Sequence, residues 1–501
     1  MFALTAVKIP TAALYFPLIL GVFLIFSSSL MDGLLIVMAY LATDGAFKLM
    51  SAGSTGLRVA IDILMITLFL RYVQVMLQAK NSKKIFGAPL AILFYLHAAW
   101  IFVQYLNPYS IGLIPSIAAF KVYISSLLLY FIVFTAVEDE GDIKKLMGMC
   151  AALVVLQIVV TIFHFQIGEA GLIKWSHHYL GAMGDRFRGI KFRPFGTSNV
   201  PGGSSTLLYL LTPMTIGFLM LKAKLWSYGL AALIFWGSVA ALVTTQVRSA
   251  QVKCLLGILI LSLVLTAKRR GQKALGFLAL IFITSGLALG QLELSDPRVQ
   301  AIVERTNSLE NFSEVWSDRS QGVYETTMEI VYRAPFGIGL SRVGAASEPF
   351  KDRIAADQVF GGFWSFADNL YKALLIEVGV PGLLIYLSFL FGTIILGISG
   401  LLSHAKIKDE YLIFQGAAIG AVIAACTGHL GSEGFLYQPE SGITWIFIGA
   451  LVKIRDLSQN ESWQTRTLGG NSLESTDPAT SLARSLNHGT TAEAHRHGAS
   501  D

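Results

Sequence analysis

Apolar runs, one after another, dominate this chain. Segments long enough to approach a bilayer crossing fall at about 11–30, 33–50, 57–77, 88–106, 115–137, 143–166, 200–221, 226–246, 249–267, 273–290, 370–400, 411–429 and 440–454. A transmembrane helix needs about 20 predominantly apolar residues. Lipid offers the backbone no hydrogen bonds, so only helices and closed barrels can span it. A barrel would alternate polar and apolar residues over strands of about 10 residues, and no such alternation is present. The first two runs are short enough to form one broken crossing. The pattern therefore predicts an all-α polytopic integral membrane protein with about 12–13 transmembrane helices.

Charge gives the orientation. Only 14% of residues are charged, against about 25% in soluble domains, and most Lys and Arg lie between apolar runs. Lys80, Lys83, Lys84, Lys144, Lys145, Lys222, Lys224, Lys268, Arg269, Arg270, Lys273, Lys406 and Lys408 share one side, which the positive-inside tendency makes cytoplasmic. The net charge of +6 thus implies no nucleic-acid partner. Counting crossings puts 167–199, the turn at Val247-Arg248 and a long polar insertion at 291–369 outside. The chain divides into N-terminal membrane helices (1–290), an extracytoplasmic, partly helical loop (291–369), C-terminal membrane helices (370–454) and a Ser/Thr/Gly-rich cytoplasmic tail (455–501) expected to be disordered. The first apolar run is expected to remain as an anchor. Cys150, Cys254 and Cys426 all lie in apolar runs, without metal-ligand spacing, and no disulfide is expected.

The polar residues that interrupt this pattern gather on the outer face. Arg248 stands between two apolar runs with almost no loop; it is either a snorkelling interfacial arginine or an anion ligand. The stretch Asp185–Asn199 carries Arg186, Arg188, Lys191 and Arg193 among glycines. It is either a solvated basic loop or backbone that approaches a ligand. Arg319 precedes an amphipathic helix at Tyr324–Val331 and can pair with Asp318 or Glu325. Asp368 and Asn369 open the next membrane helix, where both are good N-caps. Glu377 sits in apolar sequence, a position that marks a functional carboxylate or the partner of a cation such as Arg248. The insertion is too rich in Trp and Phe for simple disorder and reads as a folded cap over a membrane-surface site.

Together these segments resemble the O-antigen ligase and polymerase superfamily of bacterial envelope enzymes. Thr245-Gln246-Val247-Arg248-Ser249-Ala250 is similar to the family's Ser-Arg-small motif. Arg319, the helix at Tyr324–Val331 and Pro335-Phe336-Gly337-Ile338-Gly339 are similar to its Arg, helix, Pro-x-Gly-x-Gly block. Asp368-Asn369-Leu370-Tyr371 with Glu377-Val378-Gly379-Val380-Pro381-Gly382 is similar to its His-Asn-x-Tyr-Leu and Glu-x-Gly-x-x-Gly block. Arg193–Asn199 weakly resembles a Gly-x-x-x-Pro-Asn stretch.

The resemblance implies a metal-independent glycosyltransferase, without cofactor, acting on undecaprenyl-diphosphate-linked glycans in the inner membrane, with its active site on the extracytoplasmic face. A chain-length regulator and a flippase are the expected protein partners. It implies Asp368 and Asn369 as catalytic residues and Arg248, Arg319 and Arg193 as diphosphate ligands, with Glu377 and Arg188 as further candidates. Ligases of the family place a histidine where this chain has Asp368, which favours a polymerase over a ligase. A solute transporter is the competing class, but its paired broken helices in two repeats are not seen.

Overall fold

The computed structural model describes residues 11–51, 59–78, 88–221, 224–267, 327–343, 370–403, 408–428 and 438–473, with a few single positions between 300 and 354. Among these residues there is no strand. The helices are α1 (Thr11–Ser27), α2 (Leu30–Met50), α3 (Ala60–Gln78), α4 (Ala91–Val103), α5 (Leu113–Ala136), α6 (Glu140–Trp175), the short α7 (His178–Met183), α8 (Ser204–Met220), α9 (Leu225–Thr245), α10 (Arg248–Leu265), α11 (Leu370–Ser403), α12 (Asp409–Gly428) and α13 (Glu440–Leu473). Among the described residues, 8 helices are long and apolar enough to cross a membrane, and three shorter apolar helices accompany them. The chain is an all-α polytopic membrane protein.

The first two apolar runs are separate helices. Ser29 caps α2 by accepting from the Asp32 N–H at 3.1 Å, as a Ser N-cap does. Gly21 then faces Ile36 and Gly33 faces Ile25, which makes α1 and α2 an antiparallel hairpin rather than one broken crossing. At the other end of the chain α13 runs to Leu473, past Arg455, where the sequence placed the start of an unstructured tail. The physical reason is cooperativity: a helix already nucleated and packed propagates into weak helix-formers at little cost. The expected helix at 273–290 lies outside the described residues.

Close packing comes from small residues, as in membrane bundles generally. A Cβ on Gly420 of α12 would stand 2.4 Å from the Gly257 carbonyl of α10. The centre of the bundle is α12, with α13 packed on α5, α11 and α12. Two long helices break at glycines of nearly the same conformation, Gly168 in α6 (φ 65°) and Gly379 in α11 (φ 71°). Both breaks lie towards the end of the bundle that carries the 104–112, 184–203, 245–247 and 334–343 segments. The site is built at that end.

Candidate active site

The break in α11 explains how the two glycine-rich blocks fit together. Positive φ at Gly379 turns the chain out of the helix, and Pro381 has no N–H to give. The groups stranded by the turn need partners, and the segment after the 327–333 helix supplies them. Ile338 N–H donates to the Ile376 carbonyl at 2.9 Å and Gly339 N–H to the Glu377 carbonyl at 3.2 Å. Val380 N–H donates to the Pro335 carbonyl at 2.9 Å, and the Trp100 indole donates to the Val378 carbonyl at 2.7 Å. The approach requires glycine: a Cβ on Gly337 would lie 2.4 Å from the Glu377 carbonyl oxygen, and one on Gly379 2.3 Å from the Phe336 carbonyl carbon. Gln104 and Asn107 donate to the Phe336 and Gly337 carbonyls at 3.0 and 2.9 Å, fastening the block to the end of α4.

Glu377 lies inside this joint and is buried. Its carboxylate accepts from the Tyr123 hydroxyl at 2.7 Å and from the Val343 N–H at 2.8 Å, with further backbone hydrogen bonds from Ser341 and Arg342. Among the described residues its partners are therefore a phenol and a loop backbone, and of the two readings of the sequence the pairing with Arg248 is not present. The Glu377 carboxyl group holds the 341–343 turn, whose Ser341 has a left-handed φ of 63° and donates to the Pro115 carbonyl at 2.6 Å. The same turn buries Arg342, whose Nε donates to the Tyr109 carbonyl at 2.9 Å. Arg342 escaped the sequence reading because it sits beyond the matched motif.

Arg193 and the turn that carries Arg248 approach each other elsewhere at the same end. The loop after α7 enters α2: Thr197 donates through its hydroxyl to the Ala42 carbonyl, and its own carbonyl accepts from Ala46 N–H at 2.8 Å. One residue is thereby inserted into the helix's own 42–46 step. Gly45 admits it, since a Cβ there would stand 2.2 Å from the Asn199 N. Beyond this anchor Gly202 touches the α9–α10 turn. A Cβ on Gly202 would lie 2.9 Å from Val247 Cγ2, 3.2 Å from the Thr245 carbonyl and 3.5 Å from Arg193 Cδ. Gln246, in left-handed conformation, ends α9, and Arg248 starts α10 immediately after. Arg193 and the Arg248 turn thus meet around one glycine, both arginines half-buried. The Arg193 guanidinium also lies 4.7 Å from the Phe187 ring centroid, a cation–π distance.

Arg188 is placed differently. It is exposed, and its Nε donates to Glu169 at 2.9 Å, which also accepts from Gly189 N–H. That hydrogen bond and the charge of Glu169 push the guanidinium pKa above its ordinary value. Arg188 fastens the loop to the far arm of α6 and does not join Arg193. Arg319, Asp368 and Asn369 lie outside the described residues. Leu370 and Tyr371, which follow Asn369 directly, start α11, and the Tyr371 hydroxyl donates to the Cys426 carbonyl at 3.1 Å. Among the described residues no three His, Cys, Asp or Glu side chains converge.

One buried charged group was not foreseen at all. Lys253 of α10, Tyr209 of α8 and Glu440 of α13 meet inside the bundle. Lys253 sits in an apolar run and Glu440 at a helix start, so no local spacing connects them.

Comparison with known proteins follows this geometry. No curated protein matches the chain. A family model described as O-antigen ligase matches residues 233–387. That span begins in α9 and takes in the Arg248 turn, the Pro335–Gly339 block and the Glu377–Gly382 break that receives it. Over residues 233–387 the chain is thus similar to the O-antigen ligase family, which supports a role of polysaccharide ligase or polymerase type.

Proposed function

We propose that the protein is a bacterial cell-surface polysaccharide polymerase, making O-antigen or exopolysaccharide. It would transfer a growing glycan from undecaprenyl diphosphate to a lipid-linked repeat unit at the extracytoplasmic face of the inner membrane. The observation that carries the reading is the meeting of Arg193 with the Arg248 turn around Gly202. Two half-buried arginines, Arg248 opening α10 and Arg193 in the loop beside that turn, suit a diphosphate, since planar guanidinium forks match phosphate oxygens. The leaving group is already anionic, so fixed cations stabilise the charge it gains as the glycosidic bond breaks, and no general acid is needed. Arg319 is the third cation of this reading. Asp368 is its base, taking the proton of the attacking hydroxyl, and Asn369 orients the acceptor. No metal has a step in this scheme. Glu377 acts as a positioning residue, holding the 341–343 turn against α5 and α11.

The family description favours a second reading, a ligase that moves a finished chain onto a lipid A core or a protein. Asp368 in place of the ligases' histidine favours the polymerase. Lipid-linked glycans in a deletion strain separate the two. Single repeat units left on the carrier are expected; full-length carrier-linked chains would make the protein a ligase, and an unchanged glycan pool would overturn both.

A further inference from the structure

The buried group formed by Lys253, Tyr209 and Glu440 has no part in the scheme above. Lys253 lies five residues along α10 from Arg248, about 7.5 Å at 1.5 Å per residue, and Tyr209 lies five residues along α8 from its first residue, Ser204, two beyond Gly202. The Tyr209 hydroxyl donates to Glu440 Oε1. The Lys253 ammonium lies 4.5 Å from the Tyr209 ring centroid and 3.7 Å from the same carboxylate oxygen. All three residues are almost fully buried. Cys426 lies within electrostatic reach of Lys253 and Glu440 and links the group to Tyr371 at the start of α11.

Two features separate this cluster from a plain structural ion pair. An ammonium carries three donors. Among the described residues Lys253 makes the long contact to Glu440 and the ring contact, and no hydrogen bond. A buried cation with unused donors is costly unless something fills them. The second feature is charge. Among the described residues Arg193, Arg248 and Lys253 bring three cations to this end of α8 and α10, and Glu440 one anion; a glycosyl lipid diphosphate, a doubly charged diester, is of the sign that such a cation-rich site takes.

We propose that Lys253 is a further phosphate ligand of the site, its ammonium rising from Glu440 to hydrogen-bond the lipid-proximal phosphate. Glu440 and Tyr209 hold the Lys253 side chain in place while the site is empty. The proposal rests on the lipid-diphosphate reading. It identifies a cation in the bundle interior, below the arginines, and so a diphosphate that sits deeper than the loop surface.

The test is binding by the full-length protein in nanodiscs, measured by native mass spectrometry with undecaprenyl diphosphate and, as uncharged reference, undecaprenol. Wild type should prefer the diphosphate by roughly tenfold or more, the scale of one or more charge-assisted hydrogen bonds. Lys253→Met should lose about tenfold of that affinity while Lys253→Arg keeps it within about threefold. Glu440→Gln, which leaves the cation without its resident anion, should bind the diphosphate at least as tightly as wild type. The exchanged pair Lys253→Glu with Glu440→Lys should not recover binding.

Wild-type affinity in Lys253→Met, recovery by the exchanged pair, or a tenfold loss in Glu440→Gln would reduce the cluster to a structural pair and overturn the proposal. If Lys253→Met does not fold, the opposite signs expected for Glu440→Gln and the exchanged pair still decide. A wild type that fails to distinguish diphosphate from alcohol would instead overturn the lipid-diphosphate reading itself.

Discussion

Arginine and carboxylate have different parts in the proposed reaction, and single substitutions separate them. Arg248→Lys and Arg319→Lys keep the charge but lose the bidentate fork. Each is expected to insert normally and to lose most polymer, read as glycan length at matched membrane abundance; full activity in both would leave them as an interfacial and an ion-paired arginine. Asp368 is tested by a pair of variants. Asp368→Asn keeps an N-cap and removes the base, while Asp368→Ala removes both. A base predicts that both express and both lose polymerisation by roughly 10²–10⁴-fold; a cap alone predicts a neutral Asn and an Ala that costs about 1 kcal/mol. Glu377 should behave as a fastener. Its buried hydrogen bonds to Tyr123 and Val343 make Glu377→Gln cost on the order of 1.5–3 kcal/mol of stability. Tyr123→Phe added to it should cost less than the sum of the two, because both remove the same contact. Additive thermal shifts would mean the phenol and the carboxylate are not partners in the membrane.

At the scale of elements, the site depends on backbone fitting against backbone. The 335–339 segment completes a helix that Gly379 and Pro381 break, and Thr197 completes one that it has itself opened in α2. Neither joint tolerates a methyl group. Gly379→Ala would meet the Phe336 carbonyl carbon at 2.3 Å with φ at 71°, and Gly45→Ala the Asn199 N at 2.2 Å. Nothing flexible can yield in either case, so both variants should lose on the order of 4 kcal/mol or more and accumulate poorly. Gly181 in α7 has nothing within 4 Å, and Gly181→Ala should be neutral or gain up to about 1 kcal/mol. Equal yields for the three would remove the close-packing account. These joints also mark where sequence reading reached its limit. The two glycine blocks are legible as motifs because each is short and local. That one fills the hydrogen bonds of the other is not, because the partners are backbone groups and the break in α11 is made by a single torsion.

Over the whole molecule, hydropathy carried the architecture and missed the interior charges for the same reason. Crossing a bilayer demands about 20 apolar residues in a row, so each helix announces itself locally. The joining of Lys253 to Glu440 is long-range, and neither residue disturbs the average of its run enough to be seen. The α1–α2 hairpin lay between these cases, its two runs being short and separated only by Ser28 and Ser29. Orientation is the property on which every proposal about the site depends, because a lipid-linked glycan awaiting polymerisation is extracytoplasmic. The Lys and Arg asymmetry of alternate loops predicts 167–199 and 291–369 outside and the C-terminal tail inside. Cys150, Cys254 and Cys426 are all buried, so an impermeant thiol reagent meets little native background. A cysteine placed at Ser308 should be labelled in intact cells, and one placed at Ser481 only after permeabilisation. The reverse pattern would put Arg193 and Arg248 on the cytoplasmic face, where their charge would follow the positive-inside rule and need no phosphate to explain it.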